Sequence, residues 1–366
     1  MIGWAFLAVY HLLMLYIGWN GWVWIKTTWG NRRRVKYLYV LTFLLLAYSF
    51  FLNRWLEESL LFTFIAAFWI ALLYSSILLL PMANLAVFLA RFTRLSKDQA
   101  IKWTGSITLI AIASLLGFGL FNAYSPVVRT LEINIPKKVE GSQNLNIVMA
   151  SDMHFGALSG AAHAERLVER INALEPDLVL FPGDMIDDDL HHYLEKDMTH
   201  ILKRIQAPVY ASLGNHDRLE GNADLLKVLQ DSGMNVLYDD ARLIDDRFTL
   251  VGRKDRRDLP RADLAELMKH VDPSKPVILL DHQPYDLDIA QTSGVDLMVS
   301  GHTHRGQMAP AHLITKKIYE NDWGYLQKEQ LHSVVSSGYG FWGTPIRIGS
   351  RSEIVQIHVT FDPSAK

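Results

Sequence analysis

Five short segments hold the side chains that can do chemistry. They are Asp152-Met153-His154, Gly183-Asp184-Met185-Ile186-Asp187, Gly214-Asn215-His216-Asp217, His282-Gln283-Pro284 and Gly301-His302-Thr303-His304. Carboxylates, an amide and imidazoles gathered in this way suit divalent cations. The chain has no cysteine, which excludes thiolate ligands, disulfides and Cys nucleophiles together. Each segment is weak evidence alone. A single histidine after a strand is more often a satisfied structural side chain, and Gly-Asp or Gly-Asn more often a turn. The paired imidazoles of His302 and His304 are the hardest to dismiss. The ordered set of five is far more specific than any member.

The elements that must position these groups are legible around them. Short apolar runs at 145–150, 178–181, 209–213, 235–238, 248–251, 277–280, 297–299, 333–335 and 354–359 read as buried strands. Between them lie the helical patterns SGAAHAERLVERINAL, DMTHILKRIQ, ADLLKVLQDSG and RADLAELMKHV. Alternating strands and helices predict an α/β layered fold with mostly parallel strand pairs. All five segments follow a strand, and sites in such sheets form at the carboxyl ends of strands. Ahead of them, RTLEINIPKKVEGSQ (129–143) reads as a linker containing an edge strand, since Leu131, Ile133 and Ile135 alternate.

The first third is a different material. Residues 1–128 carry ten Lys/Arg and three Asp/Glu, leaving 26 and 35 for residues 129–366. The acidic remainder disfavours a nucleic-acid surface, which needs a basic stripe. Stretches 3–25, 37–53, 59–90 and 103–128 contain no charge. A bilayer core asks for about 20 apolar residues in a helix, with about 17 the lower limit. The expectation is an anchor of about four spans over 1–128, with Pro81 marking an end or kink of the third. A cleaved signal peptide is disfavoured, because MIGWAFLAVY lacks a basic residue. The loops at 26–36 and 91–102 are basic, whereas the loop between spans two and three carries Arg54, Glu57 and Glu58. The positive-inside rule then places the first two in the cytoplasm and the domain of residues 144–366 outside the cytoplasm. No Asp, Glu, Lys or Arg lies within the spans to mark an ion path, which argues against a transporter.

The order D-x-H, G-D-x-x-D, G-N-H-D, H, G-H-x-H resembles the calcineurin-like metallophosphoesterases over roughly 144–360. VDLMVSGHTHRGQ and SSGYGFWGTPIRIGSRSEI resemble the membrane-anchored bacterial branch. The resemblance implies a two-sheet αββα sandwich that holds two divalent metal ions at its edge. It implies Asp152, His154, Asp184 and His304 as ligands of one ion. Asp184 then bridges to a second ion, held also by Asn215, His282 and His302. The mixed nitrogen and oxygen set suits Mn, Zn or Fe, with Mn favoured. The implied reaction is attack of a metal-bridged hydroxide on a phosphoester. His216 acts as proton donor to the leaving oxygen, and Asp187 orients it. Asp188 and Asp189 read as solvated, and Arg305 stands where that branch often has Gly.

The expected activity is hydrolysis of a phosphate ester, with a lipid-linked or envelope phosphodiester as the substrate class. Two alternatives stay open. One is a nucleotide-sugar-lipid pyrophosphatase of the UDP-diacylglucosamine type, which would need a cytoplasmic domain. The other is a non-catalytic metal-binding membrane scaffold. The basic stretch VGRKDRRDLPRAD (251–263) reads as a solvated loop rather than one facing substrate.

Overall fold

The computed structural model describes residues 2–55, 59–219, 224–362 and 364. Glu57, Glu58 and Ala223, used above in a loop and a helix, lie outside the described residues. The chain divides into two compact units, Met1–Leu120 and Phe121–Lys366.

The first unit is all helix: Ile2–Trp29, Arg33–Ala47, Ser49–Trp55, Leu60–Ala90, and most of Lys97–Tyr124. Among the described residues, three helices are long and apolar enough to cross a membrane: Trp4–Trp29, Leu60–Ala90 and Lys97–Tyr124. The second apolar stretch departs from the expected single span. Its helix breaks at Tyr48, where ψ is 4°, and Ser49 Oγ donates to the Leu46 carbonyl at 2.6 Å. A serine hydroxyl that competes for a backbone carbonyl commonly interrupts or bends a helix. Pro81 does not end the third stretch, whose helix continues to Ala90. Neighbouring groups can satisfy the carbonyl that a proline frees in such a helix. Met14, Ala47 and Trp69 form a small core, and Trp69 Nε1 donates to Tyr10 Oη at 2.8 Å.

The second unit holds twelve described strands. They are β1 (Val127–Ile135), β2 (Asn144–Met149), β3 (Leu178–Pro182), β4 (Val209–Ser212), β5 (Met234–Val236), β6 (Asp240–Ile244), β7 (Phe248–Gly252), β8 (Val277–Leu280), β9 (Leu297–Ser300), β10 (Gly324–Lys328), β11 (Leu331–Val335) and β12 (Glu353–Phe361). One sheet runs β1-β12-β2-β3-β4-β5, the other β10-β11-β9-β8-β7-β6. In the first, β2 to β5 are parallel. In the second, β7, β8, β9 and β11 are parallel.

Alternation along the strands builds three apolar layers. Ile147, Met149, Leu178 and Leu180 meet Leu250, Ile278, Leu280 and Val299 between the sheets. The intervening residues Val148, Val179 and Phe181 point to the other face, where Leu167, Val168 and Ile171 of the helix Ala161–Ala173 cover them. Val251, Leu279 and Met298 are covered on the far side of the second sheet by Leu264, Leu287 and Ala290. The unit is therefore an αββα sandwich, with the carboxyl ends of β2, β3, β4, β8 and β9 leading into the five polar segments.

Packing also explains a histidine with no chemical role. His163 is buried on its helix, with its ring 4.3 Å from that of Tyr339, and neither ring nitrogen has a hydrogen-bond partner. Burial pushes its pKa down to about 4 from 6.5. The unfolded chain then takes up a proton before the folded one does. Stability that is full above pH 6.5 is lost as pH falls toward 4, by about 3 kcal/mol in all. His163→Phe should lose less thermal stability than wild type between pH 7 and pH 4.5. Equal losses in the two proteins would show that the acid sensitivity lies elsewhere.

Candidate metal centre

The five strand-end loops converge on one buried cluster. Nitrogen and oxygen donors of Asp152, His154 and His304 lie within 4.8 Å of one another, and so do those of Asp184, His282 and His302. Asp184 also falls within the same span of His154 and His216. Asp184 thus stands between the two groups, its Oδ2 at 3.0 Å from His282 Nε2 and 3.7 Å from His154 Nε2.

The backbone is bent to achieve this. Asp152, His154, Asp184, His302 and His304 all have φ between 44° and 70°. Left-handed backbone is uncommon for residues with a side chain and costs on the order of 1–3 kcal/mol each where it is strained. Its concentration here is typical of a functional site. Two glycines give these side chains room. A Cβ on Gly301 would lie 2.1 Å from Asp152 Oδ2, and one on Gly214 would lie 2.2 Å from Asp184 Oδ1.

Backbone donors aim the carboxylates. His302 N donates to Asp152 Oδ1 at 2.9 Å, and His216 N to Asp184 Oδ1 at 2.8 Å. Asp217 is a brace, accepting from Ile186 N and Gly214 N at 2.9 Å each. It therefore ties the Asp184 loop to the Asn215 loop.

The imidazoles are aimed by partners at their second nitrogen. His282 Nδ1 donates to the Pro182 carbonyl at 2.8 Å, which directs Nε2 at Asp184. His154 Nδ1 faces Asp187 Oδ1 at 3.4 Å, outside hydrogen-bond geometry. An imidazole held by a carboxylate or carbonyl is the usual arrangement behind a metal-binding histidine. His304 differs. Its Nδ1 accepts from Arg347 Nη2 at 3.1 Å, so its ring proton sits on Nε2, 3.1 Å from His154 Nε2. A cation bound through that nitrogen must displace the proton.

Burial pushes the Asp152 carboxyl up, and the nearby Asp184 adds to this. Burial opposes Asp184 ionisation too, yet His282 and His154 hold it well below the usual range. The Asp184 carboxylate in turn raises His282 to about 10 against the effect of burial. Burial lowers His302 to about 4, with His282 adding to the effect. Asn215 Oδ1 is buried with no hydrogen-bond partner, and His282 Nε2, although 3.0 Å from Asp184 Oδ2, lies outside hydrogen-bond geometry to it. Two buried carboxylates, imidazoles and unpartnered donor atoms fit divalent cations, which would satisfy all of them.

One expected contact is corrected. The carboxylate facing His216 is Asp188, whose Oδ1 lies 3.1 Å from His216 Nδ1, outside hydrogen-bond geometry. Asp187 faces His154 instead. The bridge between Phe155 and Ile186 pins residue 186 beside the His154 loop, and the left-handed φ of 64° at Asp188 turns the chain away toward His216. Arg218 lies 3.1 Å from the same Asp188 oxygen.

Arg347 is the residue that sequence reasoning missed. It is fully buried, and its guanidinium donates to the Ser337 and Gly340 carbonyls at 2.6 and 2.7 Å as well as to His304. A buried Arg in SSGYGFWGTPIRIGS is hidden by its ordinary neighbours. Only the ring of carbonyls turned toward it reveals its place. Arg305 stacks at 3.8 Å over Trp323.

Comparison with known proteins agrees with this geometry. The family model described as calcineurin-like phosphoesterase matches residues 145–306. An uncharacterised metallophosphoesterase of Campylobacter jejuni is 32% identical over 267 residues, covering 69% of each chain. The chain belongs to the calcineurin-like metallophosphoesterases. An uncharacterised metallophosphoesterase of Aquifex aeolicus is 31% identical over 262 residues, which are 68% of this metallophosphoesterase and 97% of that one. A Danio rerio protein named as a transmembrane protein with metallophosphoesterase domain is 30% identical over 268 residues, covering 69% of this chain and 61% of that one.

Proposed function

We propose that this metallophosphoesterase is a membrane-anchored hydrolase of phosphate esters that works with two divalent cations, Mn in the first instance. The observation that carries the reading is the position of Asp184 between the two donor clusters. Asp152, His154, Asp184 and His304 would hold one ion, and Asp184, Asn215, His282 and His302 the other. Divalent cations held there would lower the pKa of a bound water and neutralise phosphate oxygens as negative charge builds.

The chain's own residues do the rest. His216 holds no ion in this reading. With Nδ1 turned to Asp188, its Nε2 is the nitrogen available to protonate the departing oxygen. Asp187 faces His154 Nδ1 at 3.4 Å and places a negative charge behind that ring. The Trp342 ring, 59% exposed and 6.3 Å from that of His216, supplies a flat apolar surface on the leaving-group side. That surface is compatible with a lipid-linked or envelope phosphodiester. The test is hydrolysis of chromogenic diester and monoester substrates by the purified full chain with Mn²⁺. Turnover of either supports the reading, and diester preference supports the substrate class. Bound metal without turnover would instead favour a scaffold.

The domain is further proposed to face away from the cytoplasm. The support is the basic character of the loops at 26–36 and 91–102, with helices Arg33–Ala47 and Ser49–Trp55 taken together as one broken crossing. The absence of cysteine makes this easy to check. A single cysteine at exposed Lys269 should react with a membrane-impermeant maleimide in intact cells, and one at Lys97 should not. The reverse pattern would place the domain in the cytoplasm and revive the nucleotide-sugar-lipid reading.

A further inference from the structure

The basic loop after β7 carries five cationic side chains, and four of them are committed. Arg253 Nη1 donates to Asp281 at 3.2 Å, and Arg261 donates to the same buried carboxylate. Lys254 Nζ donates to the Pro260 carbonyl at 3.0 Å and lies 4.5 Å from the Tyr238 ring centre. Arg256 Nη1 donates to Asp286 at 2.6 Å, with its guanidinium 4.6 Å above Tyr285. The fifth, Arg257, is exposed and has no side-chain partner among the described residues. The surroundings of this loop are acidic, with Asp239, Asp255, Asp258, Asp281 and Asp286 all nearby.

The loop is also fastened to the metal centre. Asp255 is buried, and its Oδ1 accepts from Arg257 N at 2.9 Å. Its Oδ2 accepts from Gln283 Nε2 at 2.6 Å, and Gln283 directly follows His282. Beside it a wall of rings continues to the site. Tyr285 lies 4.7 Å from Tyr319, and Tyr319 lies 6.1 Å from His302.

We infer that Arg257 is a substrate-binding residue that grips phosphate oxygens on the His282 and His302 side of the centre, across from Trp342 and His216. This rests on the phosphoesterase reading above. An arginine fork matches two phosphate oxygens at once and forms charge-assisted hydrogen bonds. One left unpaired in acidic surroundings, on a loop anchored to a ligand loop, is placed for an incoming anion. The anion is either the scissile phosphate itself or an anionic group next to it.

The test is calorimetric binding of orthophosphate and pyrophosphate to the full-length, Mn-loaded protein, beside KM and kcat for a chromogenic monoester. Arg257→Gln is compared with Arg256→Gln, which removes equal charge from a paired neighbour. Arg257→Gln should weaken anion binding and raise KM about 10-fold with kcat little changed, and Arg256→Gln should do neither. Equal weakening of both anions assigns Arg257 to the scissile phosphate. Weakening of pyrophosphate alone assigns it to a neighbouring anionic group. Changes under 2-fold for both anions in a protein that binds and turns over normally would overturn the inference alone. Wild-type protein that binds neither anion and hydrolyses nothing would remove the phosphoesterase reading, and this inference with it.

Discussion

Asp184→Asn is expected to reduce phosphoester turnover by about 10³-fold or more while the sandwich stays folded. The amide keeps the shape, so the backbone bond from His216 N to the remaining oxygen survives. What is lost is the negative charge that faces His282 and His154 and, in the proposed centre, joins both ions. Loss of a supporting partner behind a metal ligand already costs about 10–100-fold. A shared ligand should cost more. The measurement is turnover together with metal content by elemental analysis. A variant with full activity and two bound ions would show that Asp184 does not bridge.

His216→Ala should lower kcat by about 10²–10⁴-fold with metal content unchanged, the range expected for loss of a general acid. The distinction between Asp187 and Asp188 sharpens this. Asp188 faces His216, so Asp188→Asn should lower kcat in the same sense as His216→Ala, and add little in the double variant. Asp187 faces His154, so Asp187→Asn should weaken metal retention instead. Wild-type kcat in His216→Ala would remove the general-acid assignment.

Much of this site was readable because metal-type ligands must come from a few residue types, and α/β sheets place them after strands. Asp152, His154, Asp184, Asn215, His282, His302 and His304 stand at such positions, and the sandwich brings the clusters together. The pairing of Asp187 and Asp188 was not readable. Three adjacent carboxylates at 187–189 look alike in sequence, and one backbone turn decides which faces which imidazole. Arg347 was hidden for a related reason, since its partners are carbonyls that every residue carries.

The fold shows the same division. Buried strands announced themselves by apolar runs, whereas β6 and β10 went unread. Both are edge strands of the second sheet with mixed exposed and half-buried residues, so no apolar run marks them. In the first unit, hydropathy located the apolar stretches but not the break at Tyr48, which depends on one serine hydroxyl. The loop 251–263, read as solvated, is instead mostly tied into structure through Arg253, Arg261 and Asp255. Arg257 is its exception.

The most direct test of the binuclear reading is a metal titration of the stripped, full-length protein followed by turnover of a chromogenic phosphoester. Activity should stay low through the first equivalent of Mn²⁺ and rise as the second fills, with Asp184→Asn flat throughout. Two tightly bound equivalents with no turnover, or full turnover with a single equivalent, would contradict it.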